Sequence, residues 1–130
     1  LVGGNLSIMQ SLLATPYIID DWHGKILFVE DVGEDLYRID RMLTQLELAG
    51  VLDQISGFVF GTCEQCHSKR AADLSLDDVL AEHFKNRKIP VISGLLFGHQ
   101  PETYTIPIGT MAKLDADKKV LLLIEPAVLK

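Results

Sequence analysis

The stretch Ile26-Leu-Phe-Val-Glu-Asp-Val-Gly-Glu34, "ILFVEDVGE", decides how this chain is read. Its apolar run is short and lies between Gly24 and Gly33. A continuous apolar run of that length fits a strand buried on both faces, as in a parallel sheet, better than the alternating pattern of a half-exposed antiparallel strand. The run ends on two adjacent acids, Glu30 and Asp31. In open α/β sheets, sites form at the carboxyl ends of strands. The same stretch therefore suggests a fold class and a place to look for chemistry.

The flanking sequence supports that fold. "DLYRIDRMLTQLELAG" (35–50) places Leu36, Ile39, Leu43 and Leu46 on one helical face, with Asp35 as cap and Gly50 as stop. "GFVFG" (57–61) reads as a second buried strand, and "PVISG" (90–94) as a third. Between them, "SLDDVLAEHFKNR" (75–87) predicts a helix with Ser75 as N-cap, acids in its first turn and bases in its last. Upstream, "NLSIMQSLLA" (5–14) predicts a helix capped by Asn5 or Ser7 and closed by Thr15-Pro16. Alternating strands and helices imply parallel crossovers. The end of the chain differs. Residues 104–109, 110–115 and 120–125 read as strands, the last two joined by a turn at "DADKK". The expectation is one α/β domain over residues 1–130, with a mixed sheet that includes an antiparallel hairpin.

Composition narrows the function classes. Hydrophobic residues make up 48% of the 130, enough for a core, while no apolar run approaches the roughly 20 residues of a bilayer span. The net charge is −6 and the strongest basic stretch, "KNRK" (85–88), reads as a helix end, which argues against a nucleic-acid partner. No glycine fingerprint for phosphate follows any strand. "CEQCH" (63–67) has the spacing of a haem-attachment signal, but nothing else supports a haem pocket. Zinc would lack a well-placed fourth ligand, and a thioredoxin-like pair would lack its helix. The expectation is a loop with two free thiols, Cys63 and Cys66, which fits a cytoplasmic protein.

Three strand ends carry polar groups: Glu30 and Asp31, then Thr62 and Cys63, then His99 in "LLFGHQP". If strands 25–30 and 90–94 are neighbours, Glu30 and His99 meet. A carboxylate on one imidazole nitrogen leaves the other free as a general base. The plainer alternative is a helix-capping carboxylate and a turn histidine. His23, His67 and His83 compete, read respectively as turn, loop and surface or boundary helix residues. There is no G-x-S-x-G elbow, and each serine has a duller position in a helix, cap or loop, so a nucleophile is missing.

"GGNLSIMQSLLATPY", "GKILFVEDVGEDLYRIDRMLTQLELAGVLDQISGFVFG" and "IPVISGLLFGHQPETYTIPIG" resemble the C-terminal half of the LD-carboxypeptidase family of serine peptidases, which includes the microcin-immunity peptidases. The resemblance implies a two-domain protein. An N-terminal domain carries the nucleophilic serine in a Gly-x-Ser-Asp turn, and a smaller, swivelling β/β/α-type C-terminal domain carries a glutamate and a histidine. These fall on Glu30 and His99. The implied reaction is hydrolysis of an amide between an L- and a D-centre, releasing terminal D-alanine from murein tetrapeptides in cytoplasmic peptidoglycan recycling, with no metal or organic cofactor. Homodimers are also implied. Asn5 is either a contact to substrate or a helix cap. Glu34 is either a partner for the diaminopimelate amine or a solvated acid at the start of the helix over 35–49, and Asp31 is structural. The serine domain lies outside these residues, so the fragment alone is expected to be inactive. Two alternatives stay open: a microcin-immunity-type peptidase acting on a peptidyl or aminoacyl nucleotide conjugate, and a non-catalytic peptide-binding module.

Overall fold

Each short apolar run flanked by glycine forms a parallel strand in the computed structural model, which describes residues 1–68 and 74–128. The strands are β1 (Val2–Asn5), β2 (Ile26–Val32), β3 (Gly57–Glu64) and β4 (Val91–Leu95). They lie side by side in chain order, all parallel. Between them run helices α1 (Leu6–Leu12), α2 (Leu36–Leu48), α3 (Val51–Gln54) and α4 (Leu76–Phe84). Strand order without reversal, combined with right-handed crossovers, sends every helix to the same face of the sheet. The buried clusters agree. Leu6, Ile39, Leu43, Leu46, Leu80 and Phe84 pack with Leu27, Val29, Phe58 and Phe60 on one face. The other face would be left bare. It is covered by an antiparallel hairpin of β5 (Ala112–Asp115) and β6 (Val120–Leu123), whose Leu114 and Leu121 pack with Ile26, Phe28, Val59 and Phe97. The molecule is thus layered as hairpin, sheet and helices.

The α/β class with a terminal hairpin is what the structure has, with the parallel and antiparallel strands in two separate sheets. Residues 104–109, read as a strand, make no ladder. Their backbone bonds tie down loops instead, with Tyr104 N–H donating to Leu96 O at 2.7 Å and Gly109 N–H to Leu1 O at 2.8 Å. β1 is a strand over residues to which the sequence reading gave no element, apart from Asn5 as a helix cap. The caps on Ser75 and Asn5 are as read: Ser75 forms a reciprocal box with Asp78, and the Asn5 side chain accepts from Ile8 N–H.

Two expectations need correction. His83 is buried, its ring nitrogens 3.0 Å from Asp40 and 3.3 Å from Glu47, because α4 packs its polar seam onto α2. Arg87 joins Glu47 at 2.9 Å and Asp53 at 2.8 Å, so one ionic cluster ties α2, α3 and the end of α4 together. The thiols of Cys63 and Cys66 are not free but joined as a disulfide. Gln65 takes φ +58° and Cys66 N–H bonds back to Cys63 O at 3.2 Å, a tight turn that brings the two Cα atoms to 5.4 Å. The inference from free thiols to a reducing compartment loses its support. Among the described residues no helix is long and apolar enough to cross a membrane.

Candidate active site

The pleat of β2 separates the two acids. Residues of a strand alternate between faces. Leu27 and Val29 face the helices, and Asp31 follows them; Ile26 and Phe28 face the hairpin side, and Glu30 follows them. Asp31 is consumed by backbone and cap. It accepts from Ser7 N–H at 3.0 Å, from Val32 N–H at 2.9 Å and from the Asn5 amide at 3.3 Å. Glu30, also buried, accepts from the same Asn5 amide at 3.2 Å on one oxygen and faces His99 Nδ1 at 2.7 Å on the other.

Asn5 holds this corner in register. Its carbonyl oxygen accepts from Ile8 N–H and Ser7 Oγ, which leaves the amide nitrogen to bridge both carboxylates. The structure thus uses Asn5 as the cap of α1 and as a strap between Glu30 and Asp31.

His99 reaches Glu30 by a route the sequence reading did not anticipate. β2 and β4 are not neighbours; β3 lies between them. The chain leaving β4 crosses over the end of β3 instead. Register shifts leave Gly61 and Thr62 of β3 together opposite Glu30, and leave Gly94 of β4 as an extra residue at φ +80°. At the crossing, a Cβ on Gly61 would lie 2.6 Å from Phe97 O, so only glycine lets the loop lie this low. Thr62 then fixes the Phe97 carbonyl twice, from its backbone N–H at 3.2 Å and its hydroxyl at 3.1 Å. The Phe97 ring is buried edge-on against Phe28, with centroids 5.7 Å apart. Gly98, at φ +124°, lies against Glu30; a Cβ there would stand 2.8 Å from Oε2. Thr62 was visible in the sequence as a polar strand end, but the roles of Gly61, Phe97 and Gly98 depend on this crossing and had no sequence signal.

With Nδ1 against a carboxylate, that nitrogen carries the proton and donates to Glu30, which fixes the tautomer. Nε2 has no hydrogen-bond partner among the described residues, and the side chain is 53% exposed. The Glu30 carboxylate, through the hydrogen bond first and its charge second, raises His99 above the ordinary imidazole value. The arrangement offers an oriented imidazole with one basic nitrogen open to an incoming group.

The remaining candidates lie elsewhere. Glu34 accepts from Arg38 Nη1 at 3.2 Å and lines a groove of about 230 Å³ with Ser7, Gln10, Arg41 and Gln45, between α1 and α2. His23 pairs with Asp21 in an exposed turn, and His67 contacts Gln65 O. Among the described residues, no three His, Cys, Asp or Glu side chains are grouped to hold a metal ion.

The family model for the LD-carboxypeptidase C-terminal domain matches residues 1–114. A probable murein peptide carboxypeptidase of Bacillus subtilis is 39% identical over 124 residues, covering 95% of this chain and 39% of that protein. The crystal structure of a muramoyltetrapeptide carboxypeptidase from Oxalobacter formigenes is 33% identical with a TM-score of 0.82, covering 95% of this chain and 45% of that one. The microcin C7 self-immunity protein MccF of Escherichia coli is 28% identical over 127 residues, covering 96% of this chain and 36% of that protein. The chain thus spans less than half the length of each of these relatives.

His99 should titrate above an ordinary histidine when its ring signals are followed by NMR against pH. A raised value means the folded state favours the imidazolium; the associated stabilisation is complete below the unfolded value and is lost as pH rises through the folded one. Glu30→Gln should bring the midpoint back down toward the ordinary value. A midpoint unchanged by that substitution would show that Glu30 does not act on the ring.

Proposed function

Because this chain belongs to the LD-carboxypeptidase family, as its C-terminal domain, we propose that it supplies the histidine and glutamate of a serine peptidase whose serine lies elsewhere in the protein. The observation that carries this reading is the 2.7 Å bond from His99 to the buried Glu30, with Nε2 left open. In the proposed reaction, Nε2 takes the proton of the serine hydroxyl as that oxygen attacks the substrate carbonyl. The imidazolium then protonates the departing amine, and water repeats the sequence on the acyl-enzyme. Glu30 holds the ring and offsets the positive charge that forms on it. Asn5 keeps Glu30 in place and shares its amide with Asp31.

The names of the relatives, a murein peptide carboxypeptidase and a muramoyltetrapeptide carboxypeptidase, support a murein tetrapeptide as the substrate. Release of its terminal D-amino acid, in peptidoglycan recycling in the cytoplasm, is part of the proposal. The proposed partners are the serine-bearing domain and a second copy of the protein. Glu34 is proposed as a specificity contact for the diaminopimelate amine of such a peptide. Its carboxylate now rests on Arg38, so an incoming ammonium would compete for an oxygen already in use.

The test is release of D-alanine from a murein tetrapeptide by the whole protein. His99→Ala should lower kcat by several orders of magnitude, on the scale of the roughly 10⁶-fold loss seen for triad members elsewhere. Retention of most of the activity would remove His99 from the mechanism. In the same assay, Glu34→Lys should reduce kcat/KM for diaminopimelate peptides about tenfold or more, the effect of losing one charge-assisted contact. An unchanged kcat/KM would leave Glu34 with Arg38 alone.

A further inference from the structure

The disulfide Cys63–Cys66 has no part in the proposed reaction, yet it closes the strand end on which His99 depends. Cys63 stands in register opposite Asp31, and it directly follows Thr62, whose backbone and hydroxyl hold the Phe97 carbonyl. The turn it closes is also laid against the β2–α2 junction: Gly33 N–H donates to Glu64 O at 2.8 Å, and Asp35 bridges to His67.

Its position fits a bond that opens more than a permanent staple. A disulfide stabilises mainly by constraining the unfolded chain, and the gain grows with loop length. Here the sequence separation is three, near the minimum. Both cysteines are half-buried at the surface, and Gln65 between them is exposed. Gln65 is also held in the left-handed region, at φ +58°, a conformation that a non-glycine residue leaves readily once released. Neither cysteine begins a helix, because α4 starts at Leu76, so the pair lacks the feature that makes a thioredoxin-type thiol reactive. It is suited to be acted upon.

We propose that Cys63–Cys66 is a thiol–disulfide exchange site that takes a dithiol as its co-reactant, and that opening it loosens the hold of β3 on the loop that presents His99. One thiolate of the dithiol attacks a protein sulfur, forming a mixed disulfide and releasing the other cysteine as a thiolate. The second thiol of the reagent then closes its own disulfide and expels the remaining cysteine. Two electrons and two protons pass to the protein, and the dithiol is oxidised. The consequence for His99 rests on the Glu30–His99 geometry, whereas the exchange itself does not.

The test equilibrates the chain, without denaturant and without air, against mixtures of reduced and oxidised dithiothreitol. Thiols are trapped with iodoacetamide and counted by intact mass, and the His99 ring is titrated by NMR in both end states. The expected result is full, reversible interconversion with the chain folded throughout, and a His99 midpoint that falls toward the ordinary imidazole value on reduction. Cys66→Ser should show the lower midpoint whether or not dithiothreitol is present. The proposal is overturned if the bond opens only when urea unfolds the chain, if reduction itself unfolds the chain, or if the His99 midpoint is the same in both states. None of these readings uses peptidase activity, so failure here and failure of the peptidase assignment are seen separately.

Discussion

The pleat of β2 places Glu30 and Asp31 on opposite faces of one sheet, and the candidate site follows from that separation. If both carboxylates projected to one face, they would compete for the same donors and repel each other in a buried corner. Instead Asp31 turns toward α1 and is saturated by Ser7, Val32 and Asn5, while Glu30 turns toward the hairpin side and keeps an oxygen for His99. The Asn5 amide, donating to both, couples the two faces through the end of β1. Fold and site share this origin. Chain-order strands put every helix on one face, and the opposite face, which the hairpin shares, is where the loop after β4 descends onto Glu30.

That descent rests on small residues at a crowded crossing. Gly61 lets the Phe97 backbone lie over β3, Thr62 ties it there, and the buried Phe97 ring sets its depth. Gly98 then passes so close to Glu30 that a methyl group would collide with the carboxylate. His99 is therefore delivered by a braced backbone and its ring is anchored by one strong hydrogen bond, while the outer nitrogen stays open. A general base needs this combination: fixed orientation on one side and access on the other.

Much of this was legible in the chain. β2 and β3 appear as apolar runs between glycines and β4 as a short run between Pro90 and Gly94, α2 and α4 carry clear periodicity and caps, and the acids at the end of β2 marked the site. What was not legible was mostly long-range. Val2–Asn5 carries two glycines and so has little strand character by composition; only pairing with β2 makes it a strand. His83 looked like a surface or boundary residue of α4 until α2 brought Asp40 and Glu47 to both sides of its ring. The pairing of Cys63 with Cys66 depends on a left-handed Gln65, a conformation that sequence does not advertise. The meeting of Glu30 and His99 was anticipated for adjacent strands and arises instead across β3.

The central claim is that Glu30 tunes and orients His99 as the base of a serine peptidase completed by the rest of the protein. A histidine base works only when neutral, so kcat/KM should rise with pH through the His99 value, which Glu30 holds above the ordinary range. The most direct measurement is the pH profile of kcat/KM for D-alanine release by the whole protein and its Glu30→Gln variant. The account predicts that the variant is slower and that its acidic limb lies at lower pH. An acidic limb at the same pH in both proteins would contradict it.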